Sequence, residues 1–125
     1  MKNKIFLGVQ ILTGLLLFIF GLNGFLQFIP MPPPPAAMGE YMGALFATGY
    51  IFPIVAAIQI VASFAYIINK FSALMTIIVM PVMINAFLAH FFLDINGIGG
   101  SALIILGMIV VIVKNKDRYK EIFKS

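Results

Sequence analysis

The chain has no cysteine and one histidine in 125 residues, and only 10% of its residues are charged. The first absence excludes disulfides, thiolate catalysis and Cys-ligated metal or iron–sulfur centres within the chain, and leaves the redox compartment open. The second excludes bis-histidine haem ligation by this chain alone. A charge content this low, beside 62% hydrophobic residues, leaves too little polar surface for a soluble domain. The sequence also lacks a GxSxG elbow, a phosphate-cradling glycine loop and a paired intramembrane carboxylate.

The few charges present are ordered. Lys2 and Lys4 precede the uncharged run Ile5 to Ile29, Lys70 alone separates the second and third apolar runs, and Lys114, Lys116, Arg118, Lys120 and Lys124 follow the fourth. Glu40 and Asp94 fall in the other two connections, which contain no Lys or Arg. Basic loops stay cytoplasmic because their translocation is disfavoured. The pattern predicts an all-α integral membrane protein, a four-transmembrane-helix bundle forming one membrane domain over 1–125, with both termini cytoplasmic. The lipid bilayer is its first partner. The net charge of +4 follows topology and makes no basic patch with interleaved aromatics, so nucleic acid is not an expected partner. Lys2 and Lys4 resemble the basic start of a signal peptide, but 25 uncharged positions exceed the roughly 7–15 of a signal core, which predicts a retained helix.

A span needs about 20 residues, which places the four at about 5–29, 50–69, 71–93 and 97–113, followed by a basic tail over 114–125. Pro30 and the run Pro32 to Pro35 forbid helix and predict a stiff, extended outer loop. From Ala36 to Asn69 there are 34 residues. As one helix these would measure about 51 Å, against about 30 Å of hydrocarbon. Gly49 and Pro53 are the candidate breaks, which predicts a short outer-side or re-entrant helix over Ala37 to Thr48 before the second span; a kinked continuous helix is the alternative. Pro81 interrupts the ladder of the third span and frees the carbonyl of Ile77. The tail alternates basic residues with Tyr119, Ile122 and Phe123, a composition suited to anionic headgroups as well as to fixing topology.

Polar residues inside spans are costly in lipid and face a bundle interior or a cavity. Asn23 and Gln27 share one face of the first span, and Gln59, Ser63 and Tyr66 form one stripe on the second. On the third span Asp94 lies one turn after His90, in reach to orient and protonate it. Asn85 stands about 140° around that helix from His90, so only a kink at Pro81 or another helix could unite them. The candidate pocket is therefore Asn23, Gln27, Gln59, Asn85, His90 and Asp94, opening to the outer side. The competing role is polar bonding across helices, at about 0.6–2 kcal/mol each. One histidine with Asp94 and Glu40 has no metal-ligand spacing, so no metal is expected. Gly39 and Gly43 form a GxxxG, and Gly14, Gly21, Gly100 and Gly107 are small positions at seven-residue spacings, suited to close packing within the bundle or in a homo-oligomer.

The segments Phe20-Gly-Leu-Asn-Gly-Phe, Met42-Gly-Ala-Leu-Phe-Ala-Thr-Gly-Tyr, Ile58-Gln-Ile and Pro81-Val-Met-Ile-Asn85, with His90 and Leu93-Asp94, resemble the DoxX family of small four-helix bacterial membrane proteins. The resemblance runs from Ile5 to Val113. It implies a multi-pass protein of the bacterial cytoplasmic membrane and a role as a small quinone-linked subunit of a redox complex, with other subunits as partners and quinone as the cofactor to consider. The family often has Lys where this chain has Gly24 and Glu where it has Gln59. That departure favours an accessory subunit binding a hydrophobic or quinone-like molecule. A quinone-linked oxidoreductase subunit and a carrier for a small amphipathic solute are the alternatives.

Overall fold

Apolar helices without charge in their interiors have one way to satisfy their backbone in lipid, the internal i to i−4 ladder. The computed structural model, which describes residues 2–26, 35–120 and 122, is accordingly all-helical among those residues. Gln27, the Pro30 to Pro34 part of the outer loop, Glu121 and the segment 123–125 lie outside the described residues.

Five α-helices follow one another: α1 (Lys2–Leu26), α2 (Ala36–Ala47), α3 (Ile51–Ile68), α4 (Ser72–Leu93) and α5 (Gly99–Lys114). Three of them contain segments long and apolar enough to cross a membrane, Lys4–Asn23, Ile51–Ile68 and Ser72–Leu93. The helix α5, with 16 residues, is about 24 Å long. Its expected start at 97 gives way to a 3-10 turn at Ile95–Gly97. A second 3-10 turn, Lys116–Tyr119, follows α5.

The long second segment divides where its length demands. Helix α2 ends at Ala47, α3 begins at Ile51, and Gly49 turns the chain with φ +79°, a conformation open to glycine without a Cβ clash. The connection between α3 and α4 is equally tight. Asn69 caps α3 in the left-handed region at φ 57°, with the Lys70 N–H donating to the Ala65 carbonyl at 3.0 Å.

Helices α1 and α3 share the most extensive interface, and α1, α3, α4 and α5 close a ring in that order, each packed on its two neighbours. Residues Gln10, Thr13, Gly14, Leu17 and Gly21 form the buried stripe of α1. A Cβ on Gly14 would come within 2.9 Å of Tyr66 Cβ and 3.1 Å of the Ser63 carbonyl oxygen, so glycine sets the α1–α3 approach. Gly21 meets Ile60 and Ala56 in the same way, and Gly107 of α5 meets Thr13. The seven-residue glycine pattern therefore serves packing within the bundle. Gly43 of the GxxxG has no neighbour within 4 Å.

Leu17, Tyr66, Val79, Met83, Ile104 and Met108 fill the centre. Outward faces are apolar as well, with Leu12, Val61, Phe64, Leu103 and Leu106 exposed. A chain that turns large aliphatic side chains outward on every side of its bundle is suited to lipid.

The antiparallel order collects Lys4, Lys70 and Lys114 at one end of the bundle, the basic end. Lys114 contacts Gln10 and Asn69 there. At the opposite end Gly100 packs on Phe20, and His90 and Asp94 close α4.

Candidate functional site

Among the described residues, the candidate residues of α4 lie on two different faces of that helix. Helix α4 runs unbroken from Ser72 through Pro81 to Leu93, so its two polar faces stay apart. His90 continues the buried side of α4 marked by Val79 and Met83. Asn85 faces outward and donates to the Tyr41 hydroxyl of α2 at 2.8 Å. Asn85 is thus held by α2, on a face of α4 other than that of His90. Gln59 is half-buried and its Nε2 lies 3.6 Å from the sulfur of Met83, which stands about two turns before His90 on the same side of α4. Asn23 is half-buried near the end of α1, three residues beyond the Phe20 that packs on Gly100. Gln27 lies outside the described residues.

His90 and Asp94 form the one titratable pair at this end among the described residues. Asp94 ends α4, its N–H donating to the His90 carbonyl at 2.9 Å, and its own carbonyl accepts the Gly97 N–H at 3.0 Å. That loop folds the chain back so that Gly97 covers the pair. A Cβ at Gly97 would sit 2.9 Å from Asp94 Oδ2 and 3.0 Å from His90 Nδ1, so a side chain there would press on both. His90 Nδ1 stands 3.9 Å from Asp94 Oδ2, beyond hydrogen-bond length. The nitrogen is buried and has no hydrogen-bond partner, an arrangement that costs about 1–3 kcal/mol in an ordinary core. No group of three or more metal-ligating side chains occurs among the described residues.

The rest of the polar stripe on α3 is structural. Ser63 donates to its own helix at the Ile60 carbonyl, 2.6 Å away. The Tyr66 hydroxyl bonds Thr76 Oγ1, which itself donates to the Ser72 carbonyl at 2.7 Å. With the single threonine proton committed there, Tyr66 is the donor.

The densest polar network lies at the basic end. Gln10 is fully buried; its Nε2 donates to the Tyr66 carbonyl at 2.8 Å and to Asn69 Oδ1 at 3.0 Å. Lys114 Nζ donates at 2.7 Å to both Gln10 Oε1 and Asn69 Oδ1. Two neutral amides thus hold an ammonium group in place of a carboxylate. Beside them Asn115 donates to Ser72 Oγ at 3.1 Å and Tyr119 to the Ala73 carbonyl at 2.8 Å. Burial pushes the Tyr119 phenol above its ordinary range, so it remains a donor. Gln10 and Thr13, three apart in an otherwise apolar run with Gly14 beside them, are the sequence signal for this end of the bundle.

Between α4 and α5 an open apolar groove of about 820 Å³ runs from Asn85 and Leu88 to Lys116 and Tyr119. It lies on the outward face of α4, away from His90. The chain matches no family model, no curated protein and no solved structure.

Proposed function

We propose that the chain is an accessory membrane protein that binds a hydrophobic molecule with a polar, quinone-like head at the end of the bundle where His90 and Asp94 meet. In this reading α5 completes a four-span topology, with both termini and Lys70 on the cytoplasmic side of a bacterial cytoplasmic membrane. The charge order of the sequence and the collection of Lys4, Lys70 and Lys114 at one end support that orientation. The short α5 is extended at its basic end by Lys114, whose long side chain can reach the interface.

The observation that carries the site is His90. Its Nδ1 is buried under Gly97, 3.9 Å from Asp94 Oδ2, which leaves Nε2 as the contact atom. Gln59 and Asn23 add neutral polar groups on neighbouring helices, as expected where a head group is oriented by few contacts. The resemblance to the DoxX family supplies the quinone-like chemistry and a redox complex as the setting. The neutral Gly24 and Gln59, where that family often carries Lys and Glu, favour binding over catalysis.

Lipid extracts of the purified protein test this reading. A quinone-class molecule should co-purify with the native chain and be depleted several-fold in His90→Ala, while helicity is unchanged. Full retention by His90→Ala would remove the proposed site. A redox-active absorbance beyond the ultraviolet bands of the quinone itself would move the conclusion to the oxidoreductase alternative.

A further inference from the structure

The groove between α4 and α5 stands apart from His90 and has its own chemistry. Its floor is hydrocarbon, with Ile77, Met80, Ile84, Leu88 and Ile112 among its lining residues. Along α4 it extends from Thr76 to Leu88, about 18 Å at the helical rise. One leaflet of hydrocarbon is about 15 Å deep, half of a core of about 30 Å. The groove is therefore as long as an acyl chain that starts at the interface and runs toward the midplane.

Its basic-end mouth carries one charge, Lys116. Of the neighbouring cations, Lys114 is held by Gln10 and Asn69, Lys120 pairs with Asp117 at 3.1 Å, and Arg118 is exposed but does not line the groove. Lys116 is exposed and makes no ion pair among the described residues. Its backbone is fixed, because the Lys116–Tyr119 turn is anchored by the Tyr119 bond to Ala73 and by the Arg118 N–H to the Asn115 carbonyl at 2.8 Å. Tyr119 and Ile122 fold over the same mouth. A cation carried on an anchored turn at the head of a leaflet-deep apolar slot is complementary to a phosphate esterified to long hydrocarbon chains.

We propose that this groove binds one anionic phospholipid of the leaflet at the basic end, with an acyl chain along Ile77, Met80 and Ile84 and the headgroup phosphate on Lys116. The inference rests on the reading that α4 and α5 cross the membrane. Bound lipid would join α4 to α5 at the face where the two helices leave a gap.

Native mass spectrometry of the intact chain, released from detergent after equilibration with equal phosphatidylglycerol and phosphatidylcholine, tests it. The native protein should carry one phosphatidylglycerol with about fivefold preference, the factor expected for one lysine at an anionic surface. Lys116→Gln should lose the preference, Lys120→Gln should keep it, and Ile84→Trp, which fills the slot, should bind neither lipid, all with unchanged helicity. Equal binding of the two lipids by the native chain, an unaltered preference in Lys116→Gln, or a dimer in place of a lipid adduct would overturn the proposal. A misplaced membrane orientation would show separately in reporter fusions, which do not depend on lipid retention.

Discussion

Lys114 donates to Gln10 Oε1 at 2.7 Å, tying the last residue of α5 to the third turn of α1 across 104 positions of sequence. Asn69 completes the bond set from the α3–α4 turn. One cation thus joins three helices without a carboxylate.

Removing Gln10 leaves the Tyr66 carbonyl with one bond fewer and Lys114 with Asn69 alone. Gln10→Leu should destabilise the bundle by about 1–3 kcal/mol, measured by thermal or denaturant unfolding in detergent. Because Gln10 and Lys114 share one network, Gln10→Leu combined with Lys114→Leu should cost less than the two single changes added together. Strict additivity would mean that the network contributes nothing beyond its separate bonds.

Close helix approach makes a second prediction. A Cβ at Gly107 would fall on the Thr13 hydroxyl and 3.0 Å from Thr13 Cβ. Gly107→Ala should therefore cost about 1–3 kcal/mol, and Thr13→Ala in the same chain should recover part of the loss. Gly8, with nothing within 4 Å, is the control: Gly8→Ala should cost nothing and can raise stability by up to about 1 kcal/mol through helix propensity. Equal effects at Gly8 and Gly107 would contradict the packing described.

Topology is checked by reporters fused after Pro34, Lys70, Asn96 and Ser125. The first and third should report outside and the second and fourth inside. Lys70 outside, or Asn96 inside, would refute four spans with both ends in the cytoplasm.

The order of helices was legible because charge and length constrain it strongly. With 34 residues between Ala36 and Asn69 and a bilayer of fixed thickness, a break near Gly49 followed from arithmetic. Gly14, Gly21 and Gly107 were legible as packing positions, though their partners were not. The Gln10, Asn69 and Lys114 network is not legible in the sequence, since Lys114 and Asn69 stand at span ends and only the folded ring brings them to Gln10. Asn85 shows the converse. Its separation of about 140° from His90 is visible in the sequence, whereas its partner, the Tyr41 hydroxyl of α2, is not.

The continuous α4 leaves His90 with Asp94, Gln59 and Asn23 as the candidate contacts, and the chain's single histidine permits a direct measurement. In protein labelled with 15N-histidine, one imidazole gives the entire side-chain spectrum. Titration with a short-chain quinone should move the His90 Nε2 resonance saturably, while an alkane of equal length leaves it in place and Gly97→Ala, which presses on the pair, weakens the response. An Nε2 resonance indifferent to the quinone at saturating concentration would contradict the account.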